Sequence, residues 1–248
     1  MPEAADSLRI PESWRQGAIL PSDLLPEGDE GRIGIAVSHS CDLANPSLEK
    51  EPTFEWIAAE RIPKPDNYCL RGRNPRQLDL EGPPPLRLSM ADRRWGRREI
   101  LASIQPAGHL GQAEIDLVSE WMARRYQRVA FPTAFNKRRA SIANKVRTKL
   151  GTQAGRDMLG LWIALSTDDE LPDSEPYLAH LMATVADDLS VGSRNAVETL
   201  LFEIGDKLGE CEGIEIADTP GVALESEVTI TILNRYARME DWDDLSRG

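Results

Sequence analysis

Five consecutive positions, Ser38-His39-Ser40-Cys41-Asp42, hold the densest set of chemically versatile side chains in the chain. A thiol becomes a nucleophile when its pKa is lowered, and a neighbouring imidazolium is one way to lower it. Ile33, Ile35, Ala36 and Val37 precede the segment, an apolar run that predicts a buried strand. If the strand continues through Asp42, side-chain alternation puts His39 and Cys41 on one face and Ser38, Ser40 and Asp42 on the other. His39 and Cys41 would then start ~6–7 Å apart, close enough to share a substrate. On this reading His39 is a general acid/base or a phosphate ligand, and Cys41 and Asp42 position it. The same residues also read as plain structure, with Cys41 a small hydrophobe and Asp42 with Asn45-Pro46 a turn.

The second candidate is a belt of arginines. Arg71, Arg73 and Arg76 are followed by Arg93, Arg94, Arg97 and Arg98 around Trp95. Arginine favours bidentate contact with phosphate, and an exposed tryptophan is a stacking platform for an unpaired base. The plain alternative is that Trp95 is core and the arginines pair with the acidic C-terminal half. A third stretch, Trp121–Arg139, mixes aromatic and basic residues at an expected helix–proline–helix corner.

Other chemistry is not marked. The cysteines Cys41, Cys69 and Cys211 and the histidines His39, His109 and His180 lie far apart in sequence, and no CxxC pair occurs. Neither a zinc ribbon nor a disulfide framework is expected, and no metal or other cofactor. P-loop, GxGxxG, GxSxG, HExxH and EF-hand patterns are absent.

Charge is unevenly spread along the 248 residues. The formal net charge of −12 divides into −8 over residues 1–60, +11 over 61–149 and −15 over 150–248. A basic block of this kind is the electrostatic footprint of a polyanionic partner, or it pairs with the acidic ends. No run approaches the ~20 apolar residues of a membrane span, and the acidic start is unlike a signal peptide, so a cytoplasmic protein is expected.

The elements that must position these residues change character along the chain. Short strands are predicted over 14–20, from 32 to the Asn45-Pro46 turn, and over 53–61, 77–80 and 86–90, separated by proline and glycine turns, and basic residues 93–98 lead into an apolar end near Ile104. This all-β pattern predicts a small barrel. Residues 113–129 and 134–150 read as helices, with Phe135, Ile142, Val146 and Leu150 on one face of the second. Strands over 160–166, 177–186, 214–216 and 227–233 and a helix over 193–208, its inner face Ala196, Leu200, Ile204 and Leu208, predict an α+β sandwich.

Residues 14–104 resemble the MazF/PemK family of toxin barrels. The shared order is a first strand with an early glycine (Gln16-Gly17-Ala18-Ile19), a Gly-rich acidic loop, and an apolar strand ending in serine (Ile35-Ala36-Val37-Ser38). A further strand, a Pro-preceded strand (Leu86–Met90) and a basic segment follow. Arg32-Ile33 stands where the family usually has Arg-Pro, and His-Ser-Cys-Asp is not a family feature. The resemblance implies an SH3-like barrel, endoribonuclease activity on RNA, a dimer and an acidic protein partner.

The expected fold is α+β: an SH3-like β-barrel over 1–105, a basic helical hairpin over 106–150, and an acidic α+β domain over 151–248. The expected function is nucleic-acid binding or cleavage, RNA rather than DNA, of toxin or phage-defence type, with a metal-independent endoribonuclease as the candidate activity. Arg71, Arg73, Arg93, Arg94, Arg97 and Arg98 would hold phosphates beside Trp95. A protein partner from the same operon and self-association are also expected. Two alternatives stand: a non-enzymatic subunit of a defence or toxin–antitoxin assembly, and a cysteine hydrolase or transferase using Cys41.

Overall fold

The computed structural model describes residues 9–127, 130–239 and Trp242. Among these residues it is mixed α+β, with two sheets and seven α-helices. The chain divides into two compact units, one ending at Arg125 and the other beginning at Tyr126. Segment 106–150, expected as a hairpin of its own, is thus shared between them. Counted by unit, the formal net charge is −4 for the first and −8 for the second, so the basic run is folded into two units that are each acidic.

In the first unit the strands are β1 (Ala18–Ile19), β2 (Ile33–Ala36), β3 (Thr53–Arg61), β4 (Gln77–Leu80), β5 (Leu86–Ser89), β6 (Arg93–Arg97) and β7 (Gly108–His109). Two helices accompany them, α1 (Ser40–Ala44) and α2 (Gln112–Gln127). The expected end of α2 at Val129 lies outside the described residues. The strand path β4-β5-β3-β2-β1-β7, with β6 also on β3, does not close among the described residues.

β3 organises this unit because it is buried on both sides. Ile57 and Ala59 join Ile35, Val37, the leucines of β4 and β5, and Val118 and Trp121 of α2. Phe54, Trp56 and Ala58 join Trp14, Leu20, Ala36, Leu43 and Leu101. The rough alternation of Phe54, Trp56 and Ala58 with their neighbours marks TFEWIAAER as a strand, and it keeps its expected boundaries. β2 lies along one edge of β3. β6 and β5 share the other: Ile57 pairs with Arg93 and Glu60 with Arg87, and a 3-10 turn at Met90–Asp92 takes up the extra residues.

The expected strand through Asp42 stops at Ala36. Val37 and Ser38 both donate their N–H groups to Glu55 O, and Ser38 Oγ accepts Glu55 N–H at 2.7 Å, so a side chain replaces the next ladder bond. His39 then turns the chain into α1, and Leu43 is buried beneath it.

The second unit contains α3 (Thr133–Arg139), α4 (Ala143–Leu150), α5 (Gln153–Asp157), β8 (Met158–Leu165), β9 (Tyr177–Val185), α6 (Val191–Gly209), β10 (Ile214–Ile216), β11 (Gly221–Leu224), α7 (Ile230–Leu233) and β12 (Ala237–Arg238). The sheet order is β10-β9-β8-β12, and β11 also pairs with β9. β8 and β9 are antiparallel, and the crossover through α6 makes β10 and β11 parallel to β9.

Three expectations are corrected here. The single helix over 134–150 is broken by a 3-10 turn at Ala140–Ile142, next to buried Arg139, whose guanidinium folds back onto Asn136 Oδ1. Residues 227–233 are not a strand: both edges of the β8–β9 pair are already taken, and Thr229 Oγ1 caps α7 by accepting Ile232 N–H. α6 buries Val197 and Leu201 beside Leu200, Ile204 and Leu208, while Ala196 is exposed. Among the described residues no helix is long and apolar enough to cross a membrane.

Candidate functional site

The His-Ser-Cys-Asp segment is a helix start. His39 is the N-cap of α1, and its Nδ1 accepts the Cys41 N–H at 3.3 Å. Ser40 Oγ accepts Gln16 N–H, while Cys41 and Asp42 are exposed. The alternation that was to put imidazole and thiol on one strand face therefore does not apply, and ring Nδ1 meets the Cys41 main chain instead. An Nδ1 that accepts leaves the neutral ring's proton on Nε2. In this state His39 offers a hydrogen-bond donor at Nε2, suited to a phosphate oxygen, and no base there.

Arg98 fixes this turn from below. Its guanidinium donates to five carbonyls: Glu51 (2.6 Å), Asp42 (2.8 Å), Leu43 (3.0 Å), Asn45 (2.5 Å) and Ser47 (2.9 Å). A cation is favourable at the end of a helix, where carbonyls lack intrahelical partners. Arg98 is 1% exposed, and burial lowers its pKa from the ordinary value. It is a structural clamp, which corrects its expected role in holding phosphate. Arg73, 4% exposed, is likewise withdrawn from solvent.

The remaining belt is partly neutralised within the unit. Arg93 pairs with Glu55. Arg94 lies 3.6 Å from both Asp29 and Asp92, and Arg32 joins the same two carboxylates. Arg71 is exposed, holds a left-handed φ of 61°, and accepts Arg124 Nη1 on its carbonyl. The stretch Trp121–Arg139 is mostly structural. Trp121 is buried with Nε1 on Asn74 O in the first unit. In the second, Arg138 donates to the carbonyls of Leu171, Pro172, Glu175 and Gly213 and lies over Tyr177.

What stays open is one face of β6. Arg93, Trp95 and Arg97 point to the same side of the strand, and Arg94 and Gly96 to the other. A Cβ on Gly96 would come within 2.5 Å of the Phe54 ring, so that second side is closed by core packing. On the open side Trp95 is 63% exposed. The Arg93 guanidinium covers one face of the indole at 5.3 Å from its centre. Arg97, its side chain 77% exposed, pairs with Glu99 at 2.8 Å.

The outer edge of β6 is also open, since among the described residues β6 pairs only with β3. Glu55, opposite Trp95, directs its N–H and C=O toward Ser38 and Val37. In an antiparallel ladder Trp95 is therefore in a non-hydrogen-bonded pair, and its own N–H and C=O point outward, as do those of Arg97.

The sequence reasoning had the cations and Trp95 but not their acidic partners. Glu99 is two residues from Arg97 and was legible. Glu55 reaches Arg93 only through strand register. Among the described residues no group of three or more His, Cys, Asp and Glu side chains could hold a metal ion. Comparison with protein-family models, with curated proteins and with solved structures finds no match to this chain.

Proposed function

We propose that the chain binds nucleic acid through the open face of β6, as a cytoplasmic RNA-binding protein of toxin or phage-defence type. The observation that carries this reading is an indole 63% exposed on an edge strand, with a solvent-facing guanidinium two residues away. An exposed indole flanked by guanidinium groups offers an unpaired base a stacking plane and positive charge together. The preference for RNA over DNA, and the reading of the first unit as an SH3-like barrel, rest on the resemblance to the MazF/PemK barrels. His39, with its Nε2 donor, is the candidate phosphate ligand, and Arg71 adds positive charge.

The test is a titration of a fluorescein-labelled single-stranded oligoribonucleotide with the full chain at increasing salt. Affinity should fall linearly on a log–log plot, with a shallow slope of roughly 1–3, because few phosphates are contacted. Arg97→Gln should weaken binding and flatten the slope. Mapping RNA ends after incubation, with His39→Ala as control, decides between binding and cleavage. Absence of salt-dependent binding would refute the reading.

A further inference from the structure

Resting on that reading, we propose that β6 holds a single unpaired nucleobase in a slot between the Trp95 indole and the Arg97 guanidinium. Three features of the strand converge on this. One face of the indole is already covered by Arg93, whose charge is met by Glu55, so Arg93 acts as a lid on that side. With Arg93, two residues before Trp95, over one face, the other face is left for a ligand, and Arg97, two residues after Trp95 on the same side of the strand, is the side chain that can close over it. Side chains two positions apart on a strand start about 7 Å from each other. A flat ring stacked between two flat groups needs two gaps of about 3.5 Å, the same total.

The slot is open at the strand edge. The outward N–H and C=O of Trp95 and Arg97 have no strand partner among the described residues. Every nucleobase carries a donor and an acceptor side by side on its pairing edge, so a base seated in the slot can meet these main-chain groups. In a duplex those edges are consumed and both faces of the base are stacked. The site therefore selects single strands. Glu99, at 2.8 Å from Arg97, competes for the guanidinium and must be displaced or shared when the base enters. Gly96 is required behind the slot, because a Cβ there would come within 2.5 Å of the Phe54 ring.

The experiment uses a labelled single-stranded oligoribonucleotide and the same oligonucleotide annealed to its complement, each titrated with the full chain and its variants. The single strand should bind at least about tenfold more tightly than the duplex. Trp95→Ala should weaken single-strand binding by about fivefold to a hundredfold. Arg97→Lys keeps the charge but not the plane, and should lose a comparable share. Glu99→Gln releases Arg97 and should tighten binding. Trp95 and Arg97 are exposed, so melting curves of the variants should match the wild type. If the oligonucleotide binds but Trp95→Ala, Arg97→Lys and Glu99→Gln all leave its affinity unchanged, or the duplex binds equally well, the slot is refuted and the broader reading survives. If neither oligonucleotide binds, both fail.

Discussion

The guanidinium of Arg98 and the carbonyl oxygen of Asn45 meet at 2.5 Å, and four further carbonyls surround the same side chain. One buried cation thus ties the end of α1 to the loop that follows it. Replacing Arg98 with alanine leaves five carbonyls facing a void. Buried acceptors without donors cost about 1–3 kcal/mol each, less whatever water recovers, so Arg98→Ala should lose about 3–5 kcal/mol. Arg98→Lys should rescue little, since an ammonium has three donors. Urea midpoints measure both, and a change under about 1 kcal/mol for Arg98→Ala would sink the account.

Arg138 does the same work in the second unit, with four carbonyls and the face of Tyr177. Arg138→Ala should destabilise that unit by about 2–4 kcal/mol. Hydrogen exchange reads this locally. Amides of β9 and α6 should exchange faster, while β3 keeps its protection. Equal loss of protection in β3 would contradict a local role.

Cys69 gives the chain an alkaline limit. Its thiol is buried, and desolvation first, then Asp79 and Asp66, push its pKa up to about 11. In the unfolded chain a cysteine ionises near ~8.5. Between these values the folded state holds a proton that the unfolded state has released. Stability is therefore full below about pH 8.5 and is lost as pH rises toward about 11, by up to about 3 kcal/mol. Cys69→Ala should flatten the denaturation midpoint against pH in this window. An unchanged slope would assign the alkaline loss to other groups.

How far the sequence was legible follows from which interactions are local. Alternating apolar strands such as β3 and β4 were readable because both their faces are settled by periodicity. The break at Ala36 was not, since it depends on Ser38 Oγ replacing a ladder bond to Glu55, seventeen positions away. Residues 227–233 carry a strand pattern but meet a sheet whose edges are already occupied. In the candidate site, Trp95 and the arginines were visible as types. Which arginines face solvent was not, because Arg98 and Arg97 are neighbours on opposite sides of a strand end, one 1% exposed and the other open.

The His39 and Cys41 side chains should have separable roles. His39 caps α1 through Nδ1, so His39→Ala should cost about 0.5–1 kcal/mol, and His39→Asn, which keeps a side-chain acceptor, should recover most of it. Cys41 makes no such bond with its thiol and is exposed, whereas Cys69 and Cys211 are buried. Iodoacetamide on the folded chain should therefore modify one cysteine, Cys41, with the other two reacting only after unfolding, as mass spectrometry of peptides would show. Cys41→Ser should leave both the melting temperature and oligonucleotide binding unchanged. If RNA is cleaved, His39→Ala should slow cleavage while Cys41→Ser retains it, because the Nε2 donor that would hold the phosphate belongs to His39 and the thiol makes no such contact. Loss of cleavage in Cys41→Ser with intact folding would reverse the assignment and make the thiol the reacting group.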